Sequence, residues 1–398
     1  MWSWTAAPVL HQHRPPVFLH SSWNRRERTI LCAAAMNDSA MTMKKEKGKK
    51  VFSLVWFRVG DLRIHDHEPL TYACVERDLV EKTVIPFVVL NTVSHRDMSV
   101  YRREAIQRAV ICLGQTMERH GSRLIVLHDD WRVGLRAIID YVMEQKGCGE
   151  LNLHYYMSPH ECIDPHGYRE QQAMLEEISQ YSPAITCHRY WGRTLFHPED
   201  MQRGCDHDTH GGGDSLKTWY PGSLNIIQSC ENMTRFRNAC QGVIPVRAPF
   251  SIPDISLYSK EIDGVWSALT EYRRGHMLDE NGKRIELRDD IPVVESEAHK
   301  HLHTILCDAE YMAAYRTSRM SASTSHTGAM LSTALSLGTI SPRTVYESIQ
   351  QRMCQRDESW TWKSKVHASS PGEEWLLMHL VIRGTYISFF LSQNCCIL

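Results

Sequence analysis

The first half of the chain alternates short apolar runs with longer amphipathic stretches. The apolar runs are rich in Val, Ile, Leu and aromatic residues, as strands buried on both faces should be, and they cover residues 51–57, 84–90, 123–128 and 151–156. Between them, apolar residues recur every three or four positions, which predicts helices over residues 69–81, 101–120, 131–145 and 165–181. A fifth apolar run at 184–188 is placed to close the sheet. Strands that alternate with helices predict an α/β fold with a doubly wound parallel sheet over residues 51–189.

The second half has a different pattern. Residues 190–295 form a connector that includes a polar loop with three consecutive glycines, and helical periodicity begins at about residue 296. No run of eighteen apolar residues is present, and the nearest to one, residues 375–391, is interrupted by His379 and Arg383. We therefore expect a buried helix there rather than a membrane span.

The N-terminal 50 residues have the composition of a targeting segment. Residues 1–43 hold only two acidic residues, against several Ser and Thr and the arginines Arg14, Arg25, Arg26 and Arg28. Such a composition is typical of a transit peptide and predicts a chloroplast or mitochondrion. The alternative is a later start codon, at Met36, Met41 or Met43, and a location in the cytoplasm or nucleus. Residues 44–50 then form a charged, solvated linker.

Composition says little about the partners, the cellular compartment or the metal binding of the protein. The net charge of -1 leaves a nucleic-acid partner open, because such binding depends on a local basic face. Thirteen cysteines without a CxxC pair argue against a secreted disulfide framework and indicate a reducing compartment. Five residues of metal-ligating type lie within 205–210, but their spacing matches no zinc pattern, so we predict no metal site.

A dense group of charges follows the first predicted strand. Arg58, Asp61, Arg63 and Asp66 lie within nine residues at the carboxyl end of that strand, where parallel sheets usually bind ligands. No GxGxxG follows the strand, so a dinucleotide site of the usual kind is not indicated. We interpret the four charges as an internal salt-bridge cluster that fixes the turn, with Gly60 in a permissive backbone conformation.

Several segments resemble the photolyase/cryptochrome family, flavoproteins that use blue light for DNA repair or signalling. They are residues 55–70 after the first strand, 190–198 with Trp-Gly-x-Thr-Leu and 233–237 with Thr-x-Phe-Arg. The last two, together with 121–126, are similar to the DASH branch of cryptochromes. The resemblance implies a Rossmann-like α/β domain followed by an all-helical FAD-binding domain. It ends at Arg383, so residues 296–383 are expected to be an incomplete, truncated FAD-binding domain and 384–398 a tail that does not match.

The resemblance also implies flavin-binding residues. In the family, a Tyr and a hydroxyl-rich turn that opens a helix hold the FAD pyrophosphate. The corresponding residues here are Tyr315, Thr327, Gly328, Ala329, Met330, Leu331 and Ser332. A helix N-terminus suits a phosphate because it offers free N–H donors and the positive end of the helix dipole. Gly328 and Ala329 replace the usual Thr and Ser, which leaves Ser332 as the matching hydroxyl. A capped core helix followed by a Ser-Pro turn explains the local pattern equally well.

The next helix of the resemblance lines the flavin and lesion pocket in the family. Trp375 and Arg383 match that helix and are predicted to bind the cofactor. His379 stands where the family usually has a Glu that helps to bind the damaged pyrimidines, and it is the predicted substrate-binding residue. A neutral His can hydrogen-bond a base edge, although a core histidine with a satisfied ring is the default interpretation. No catalytic acid, base or nucleophile is nominated, because the cofactor carries the chemistry.

The function implied by the resemblance is light-driven electron transfer from reduced FAD to a pyrimidine dimer in damaged or single-stranded DNA. A folate or another antenna pigment is the second cofactor that the family suggests. The loss of the Glu favours an alternative, a photoreceptor that signals through a partner and repairs nothing. A flavin-free truncated product that acts only as a binding or structural fragment is the third interpretation. We expect a carbon–carbon lyase for a longer parent protein and the third interpretation for these 398 residues.

Overall fold

The structure is a computed structural model that describes a subset of the residues of the chain. These are residues 50–75, 82–90, 98–128, 130–144, 148–156, 185–197, 200, 233–256, 287, 291–318, 330–362 and 370–393. All of them belong to one compact unit, Lys49–Leu398. The predicted N-terminal targeting segment, the 205–210 cluster and the helix predicted at 165–181 lie outside the described residues.

Five strands form one sheet in the order β3-β2-β1-β4-β5. They are β1 (Lys50–Phe57), β2 (Lys82–Leu90), β3 (Ile125–His128), β4 (Cys148–Tyr156) and β5 (Ile185–Tyr190). Each neighbouring pair is parallel, and the first strand of the sequence lies at the centre of the sheet. The predicted parallel α/β fold is therefore confirmed, and the run at 184–188 supplies an edge strand beside β4.

Both faces of the sheet are covered, which explains why its strands are apolar on both sides. Along β1, Leu54 and Trp56 face one core, which is packed by α3 (Trp131–Met143). Val55 and Phe57 face the other core, which is packed by α1 (Glu68–Val75) and α2 (Val100–Arg119). Because side chains alternate along a strand, a continuous apolar run fills both cores.

Element boundaries differ from the predictions by a few residues. The third strand begins at Ile125 instead of residue 123, and the fourth begins three residues early at Cys148. The helix predicted at 131–145 ends at Met143. Periodicity locates the middle of an element better than its ends, which depend on caps and neighbours. Asp130 provides such a cap, because its side chain accepts the N–H of Arg132 at the start of α3.

The second half is helical in its described parts. Its helices are α4 (Met233–Cys240), α5 (Glu295–Cys307), α6 (Ala309–Ser318), α7 (Ser332–Leu337), α8 (Pro342–Arg356) and α9 (Gly372–Gln393). They share one apolar core, to which Leu195 and Phe196 from the segment after β5 also contribute. None of the described helices is long and apolar enough to cross a membrane.

Candidate functional site

The turn after β1 is buried between the sheet and the helices. Gly60 adopts a positive φ of 119°, as the sequence predicted for this position. Asp61 accepts the backbone N–H of Arg58, and Arg58 lies over the Trp56 ring at 4.4 Å. Burial raises the pKa of Asp61 to about 6, although three neighbouring arginines oppose this shift. The turn therefore holds a carboxyl group that is only weakly acidic.

The main ion pair of this turn is made with the helical part of the chain. Arg343, in the first turn of α8, donates from Nε to Asp66 Oδ2 at 3.0 Å and from Nη2 to Oδ1 at 2.7 Å. Ser341 Oγ and the backbone N–H of Phe250 also donate to the Asp66 carboxylate. Burial opposes the charge on Arg343, but Asp66 outweighs it and raises the pKa of the guanidinium. The sequence predicted that the charges would pair within the turn, but the ion pair of Asp66 joins the turn to α8 instead.

A second carboxylate binds the same turn from α5. Glu295 accepts the backbone N–H of Ile64 at 3.0 Å and that of His65 at 2.8 Å. Burial raises the pKa of Glu295 to about 7, against the two donors and Arg63, which lower it. His299, one helical turn later, meets the His65 ring edge-on at 5.2 Å. Burial and the neighbouring His65 lower the pKa of His299 to about 4.

Four of the predicted site residues converge around one face of α9. Trp375, His379 and Arg383 are spaced by four residues along that helix and so share a face. The hydroxyl of Tyr315, on α6, lies 2.9 Å from His379 Nδ1. Trp375 is half-buried, and the guanidinium of Arg316 lies 6.0 Å from the centre of its ring. The sequence therefore identified residues that are far apart along the chain and adjacent in the fold.

Arg383 is already engaged by the protein backbone. Its Nη2 donates to the carbonyl of Leu335 at 3.0 Å, and its Nη1 donates to the carbonyl of Arg193. Burial, followed by the nearby charge of Arg63, lowers the pKa of Arg383 to about 10. In this arrangement the guanidinium holds the end of α7, and its role toward a cofactor stays a prediction.

The predicted phosphate-binding turn is described only in its last part. Thr327, Gly328 and Ala329 lie outside the described residues. Met330 has a positive φ of 51°, Leu331 is buried, and Ser332 is exposed as the first residue of α7. Tyr315 and Leu331 belong to the same apolar core. The described end of the turn thus passes from a buried residue, Leu331, to an exposed one, Ser332.

Comparisons with known proteins agree with this arrangement. A family model described as DNA photolyase matches residues 53–210. The chain is 28% identical over 153 residues to "Cryptochrome DASH" of Synechocystis sp. (strain ATCC 27184 / PCC 6803 / Kazusa), a match that covers 37% of this chain and 28% of that protein. Over residues 53–210 the chain is therefore similar to the photolyase/cryptochrome family.

Solved structures of the family share the fold over most of this chain. The crystal structure of the Synechocystis sp. PCC6803 cryptochrome aligns with a TM-score of 0.60 and 18% identity, covering 88% of this chain and 62% of that chain. A bacterial class III photolyase from Agrobacterium tumefaciens aligns with a TM-score of 0.58 and 17% identity, covering 88% and 61%. This chain therefore spans less than two thirds of these photolyase/cryptochrome structures.

The start of α7 fits the phosphate end of the FAD that the family implies. Leu331, which precedes the helix, makes no side-chain cap. Helix geometry leaves the first N–H groups without partners inside the helix, and this arrangement suits an anion. The exposed Ser332 hydroxyl adds a donor beside them. On the side of α9, Trp375 and Tyr315 provide aromatic surface at the same core.

Sequence reasoning did not identify three residues that hold this site together. Glu295 and Ser341 bind the β1 turn, and Arg193 binds α7, as described below. Arg193 lies within the Trp-Gly-x-Thr-Leu segment that indicated the DASH branch, and Ser341 lies in the Ser-Pro turn before α8. The motifs thus pointed to the correct segments, but periodicity carries no information about which distant group a buried polar side chain meets.

Proposed function

We propose that this protein is a blue-light flavoprotein that acts on pyrimidine dimers in DNA. The observation that carries the proposal is the convergence of Tyr315, Trp375 and His379 beside α7, in a chain with the photolyase/cryptochrome fold. Reduced FAD, when bound and excited, supplies the electron that splits the cyclobutane ring and takes it back afterwards. The protein contributes binding, orientation and the exclusion of water.

The residues have distinct roles in this proposal. The first amides of α7 and the Ser332 hydroxyl would hold the FAD phosphates. Trp375 and Tyr315 would form part of the apolar wall beside the flavin. His379 would meet the flipped pyrimidines, which reach such a pocket from single-stranded or unstacked DNA. Arg and Lys side chains on the helical part would contact the DNA phosphates.

One observation favours a photoreceptor without repair activity. His379 replaces the family's usual Glu, and its Nδ1 is 2.9 Å from the Tyr315 hydroxyl. A ring nitrogen that is committed to a tyrosine is less available to a DNA base than a free carboxylate would be. In this second proposal the protein binds flavin and signals through a partner. In the third proposal, the chain is a flavin-free interaction fragment. This proposal applies if the turn before α7 and the start of that helix bind FAD too weakly to retain it.

Flavin content separates the third proposal from the other two. The full chain is purified with excess FAD, passed through gel filtration and examined by visible absorption. A structured blue band that stays with the protein supports flavin binding, and a colourless protein supports the fragment. Ser332→Ala should weaken binding, whereas Ser296→Ala, which changes another exposed serine in the first turn of a helix, should not.

Light-dependent repair separates the first proposal from the second. Flavin-loaded protein is illuminated with a single-stranded oligonucleotide that contains one thymine dimer, and dimer loss is measured by chromatography. Dimer loss in the light and none in the dark supports the repair enzyme. If flavin is bound but no dimer is lost, the photoreceptor is favoured, and His379→Glu then tests whether the missing carboxylate is the reason.

A further inference from the structure

Helix α7 is too short to hold its position unaided. It contains six residues, Ser332–Leu337, and an isolated helix of that length is unstable in water. Its first residue, Ser332, is assigned above to the FAD phosphates. Its position must therefore come from contacts with the rest of the protein, and the described contacts include a group of hydrogen bonds at its C-terminal end.

Four successive carbonyl groups at this end each accept a hydrogen bond from outside the helix. The contacts are Arg383 Nη2 to Leu335 O at 3.0 Å, Arg193 Nη2 to Ser336 O at 3.2 Å, Gly60 N to Leu337 O at 2.8 Å and Arg63 Nη1 to Gly338 O at 2.9 Å. The last carbonyls of a helix have no partners within it. Here three arginines, Arg63, Arg193 and Arg383, supply most of the missing donors, and we call them the arginine clamp.

The charge of the clamp matches the helix end. The C-terminus of a helix carries partial negative charge, so buried guanidinium groups are stabilised there. Arg63 is 1% exposed and Arg193 is 8% exposed, so solvent screens these contacts little. Burial, followed by the nearby Arg383, lowers the pKa of Arg193 to about 9, which still leaves it charged at neutral pH. Asp61 is the carboxylate that offsets this local positive charge.

Packing between the clamp and the β1 turn leaves no free space. A Cβ atom placed on Gly338 would lie 1.7 Å from the carbonyl oxygen of Gly60. A Cβ atom placed on Gly60 would lie 1.6 Å from Arg193 Nη2. Arg193 also donates from Nη1 to the carbonyl of Val59 at 3.4 Å. The guanidinium of Arg193 thus contacts the β1 turn and α7 at the same time, and neither can shift without the other.

We propose that Arg193 is a positioning residue that, together with Arg63 and Arg383, fixes α7 against the β1 turn and so sets the position of Ser332 at the start of that helix. The flavin part of this inference rests on the proposed function, whereas the fixing of α7 does not. Arg193 touches no reacting group, so its effect on FAD binding would pass entirely through α7.

Hydrogen exchange tests the fixing of α7 without any flavin. In the full wild-type chain, the amides of residues 335–337, which have acceptors within α7 or just before it, should exchange as slowly as those of α8. Arg193→Gln removes the charge and part of the set of N–H donors. Arg193→Lys keeps the charge but loses the planar guanidinium, whose two nitrogens donate to Val59 and Ser336. Each should speed exchange at residues 335–337 by roughly tenfold or more, because hydrogen bonds from charged groups are lost, while β1 and β4 remain protected.

FAD titration then tests the coupling to the cofactor. Both variants should weaken FAD binding by roughly tenfold. The matched control is Arg108→Gln, which removes an arginine whose exposed ion pair with Glu297 joins α2 and α5 away from α7. It should change neither α7 exchange nor FAD affinity.

Each result decides part of the inference. Unprotected amides at residues 335–337 in the wild type, or unchanged exchange there in folded Arg193 variants, overturn the positioning role. If neither variant folds, the wild-type exchange alone decides. Faster α7 exchange with unchanged FAD affinity overturns the coupling. If wild type binds no FAD, the proposed function fails, and the exchange data still decide whether Arg193 fixes α7.

Discussion

Asp66 and Arg343 form a buried ion pair across 277 positions of sequence, and two parallel hydrogen bonds join the turn after the first strand to the start of α8. The side chains are 0% and 4% exposed, respectively. Removing one partner of such a pair is costly, because the other charge then stays buried without compensation. The pair is therefore the first contact to test between the sheet and the helical part.

Arg343→Met should lower the free energy of unfolding by about 3 to 5 kcal/mol. Urea denaturation followed by circular dichroism measures the loss. Arg108→Met provides the control, since Arg108 and Glu297 form a half-exposed pair that should contribute less than about 1 kcal/mol. The double variant Asp66→Asn/Arg343→Met should lose much less unfolding free energy than the sum of the losses in the two single variants. Equal losses from the two arginine variants would contradict the assignment.

Gly338→Ala should be more destabilising than the same change at Gly121. Both glycines have a positive φ, 74° and 76°, so alanine strains each backbone by about 1 to 2 kcal/mol. At Gly121 the nearest atom to a new Cβ is 3.4 Å away, whereas at Gly338 it is the Gly60 carbonyl oxygen at 1.7 Å. Overpacking should bring the total loss for Gly338→Ala to about 3 kcal/mol or more. Thermal melts of the two variants compare the losses of stability. Similar melting temperatures would show that the β1 turn moves to accommodate the new methyl group at little cost.

The contribution of Glu295 to stability should fall as pH rises. Its pKa is raised from 4.5 to about 7 in the folded protein, so the native state binds the proton more tightly than the unfolded chain. That stabilisation is fully present below pH 4.5 and is lost as pH rises through 7, by about 3 kcal/mol at most. His299, with a lowered pKa, acts in the opposite direction over an overlapping range, and its contribution increases with pH.

Comparison with Glu295→Gln isolates this effect, because the histidines are common to both proteins. The unfolding free energy of wild type minus that of Glu295→Gln should decrease between pH 5 and 7.5. Urea denaturation at several pH values measures the difference. A difference that stays flat or grows with pH would mean that the two backbone donors, from Ile64 and His65, keep the carboxylate ionised.

Tyr315→Phe should destabilise the protein by about 1 kcal/mol through the loss of its hydrogen bond to His379. Tyr101→Phe is the control, because Tyr101 is 65% exposed and its hydroxyl should contribute little. In a double-mutant cycle, His379→Ala should cost less in the Tyr315→Phe background than in wild type. Strictly additive losses would show that the two side chains do not interact in solution.

The sequence predicted the sheet well because a strand that is buried on both faces has a continuous apolar run in its own sequence. Every described strand was recognised from its own apolar run, and Gly60 was recognised from its position in the turn. The start of β4 was missed because Cys148, Gly149 and Glu150 do not form an apolar run, although backbone pairing with β1 extends to them. Pairing depends on the neighbouring strand, which a local pattern does not contain.

The contacts of the candidate site residues could not be predicted from the sequence. Family resemblance selected Tyr315, His379 and Arg383, which lie on or beside α9, and it assigned them to a cofactor and a substrate. In the fold, Tyr315 and His379 meet each other, and Arg383 caps α7. A buried guanidinium takes whichever acceptors the tertiary structure presents, and for Arg383 these are backbone carbonyls of Leu335 and Arg193. The spacing of residues along the sequence therefore does not predict which acceptors a buried arginine will meet.

The long separation between Asp66 and Arg343 also has a consequence for biosynthesis. A ribosome adds roughly 5 to 20 residues per second. The 277 positions between the two residues therefore correspond to roughly 15 to 55 seconds of translation, during which the β1 turn waits without its counter-ion. Over that interval the nascent chain exposes the charged turn and the unfinished edge of β1, which pairs with β4 only after Cys148–Tyr156 has emerged. We therefore expect the early domain to be most exposed to aggregation before β4 has paired with β1.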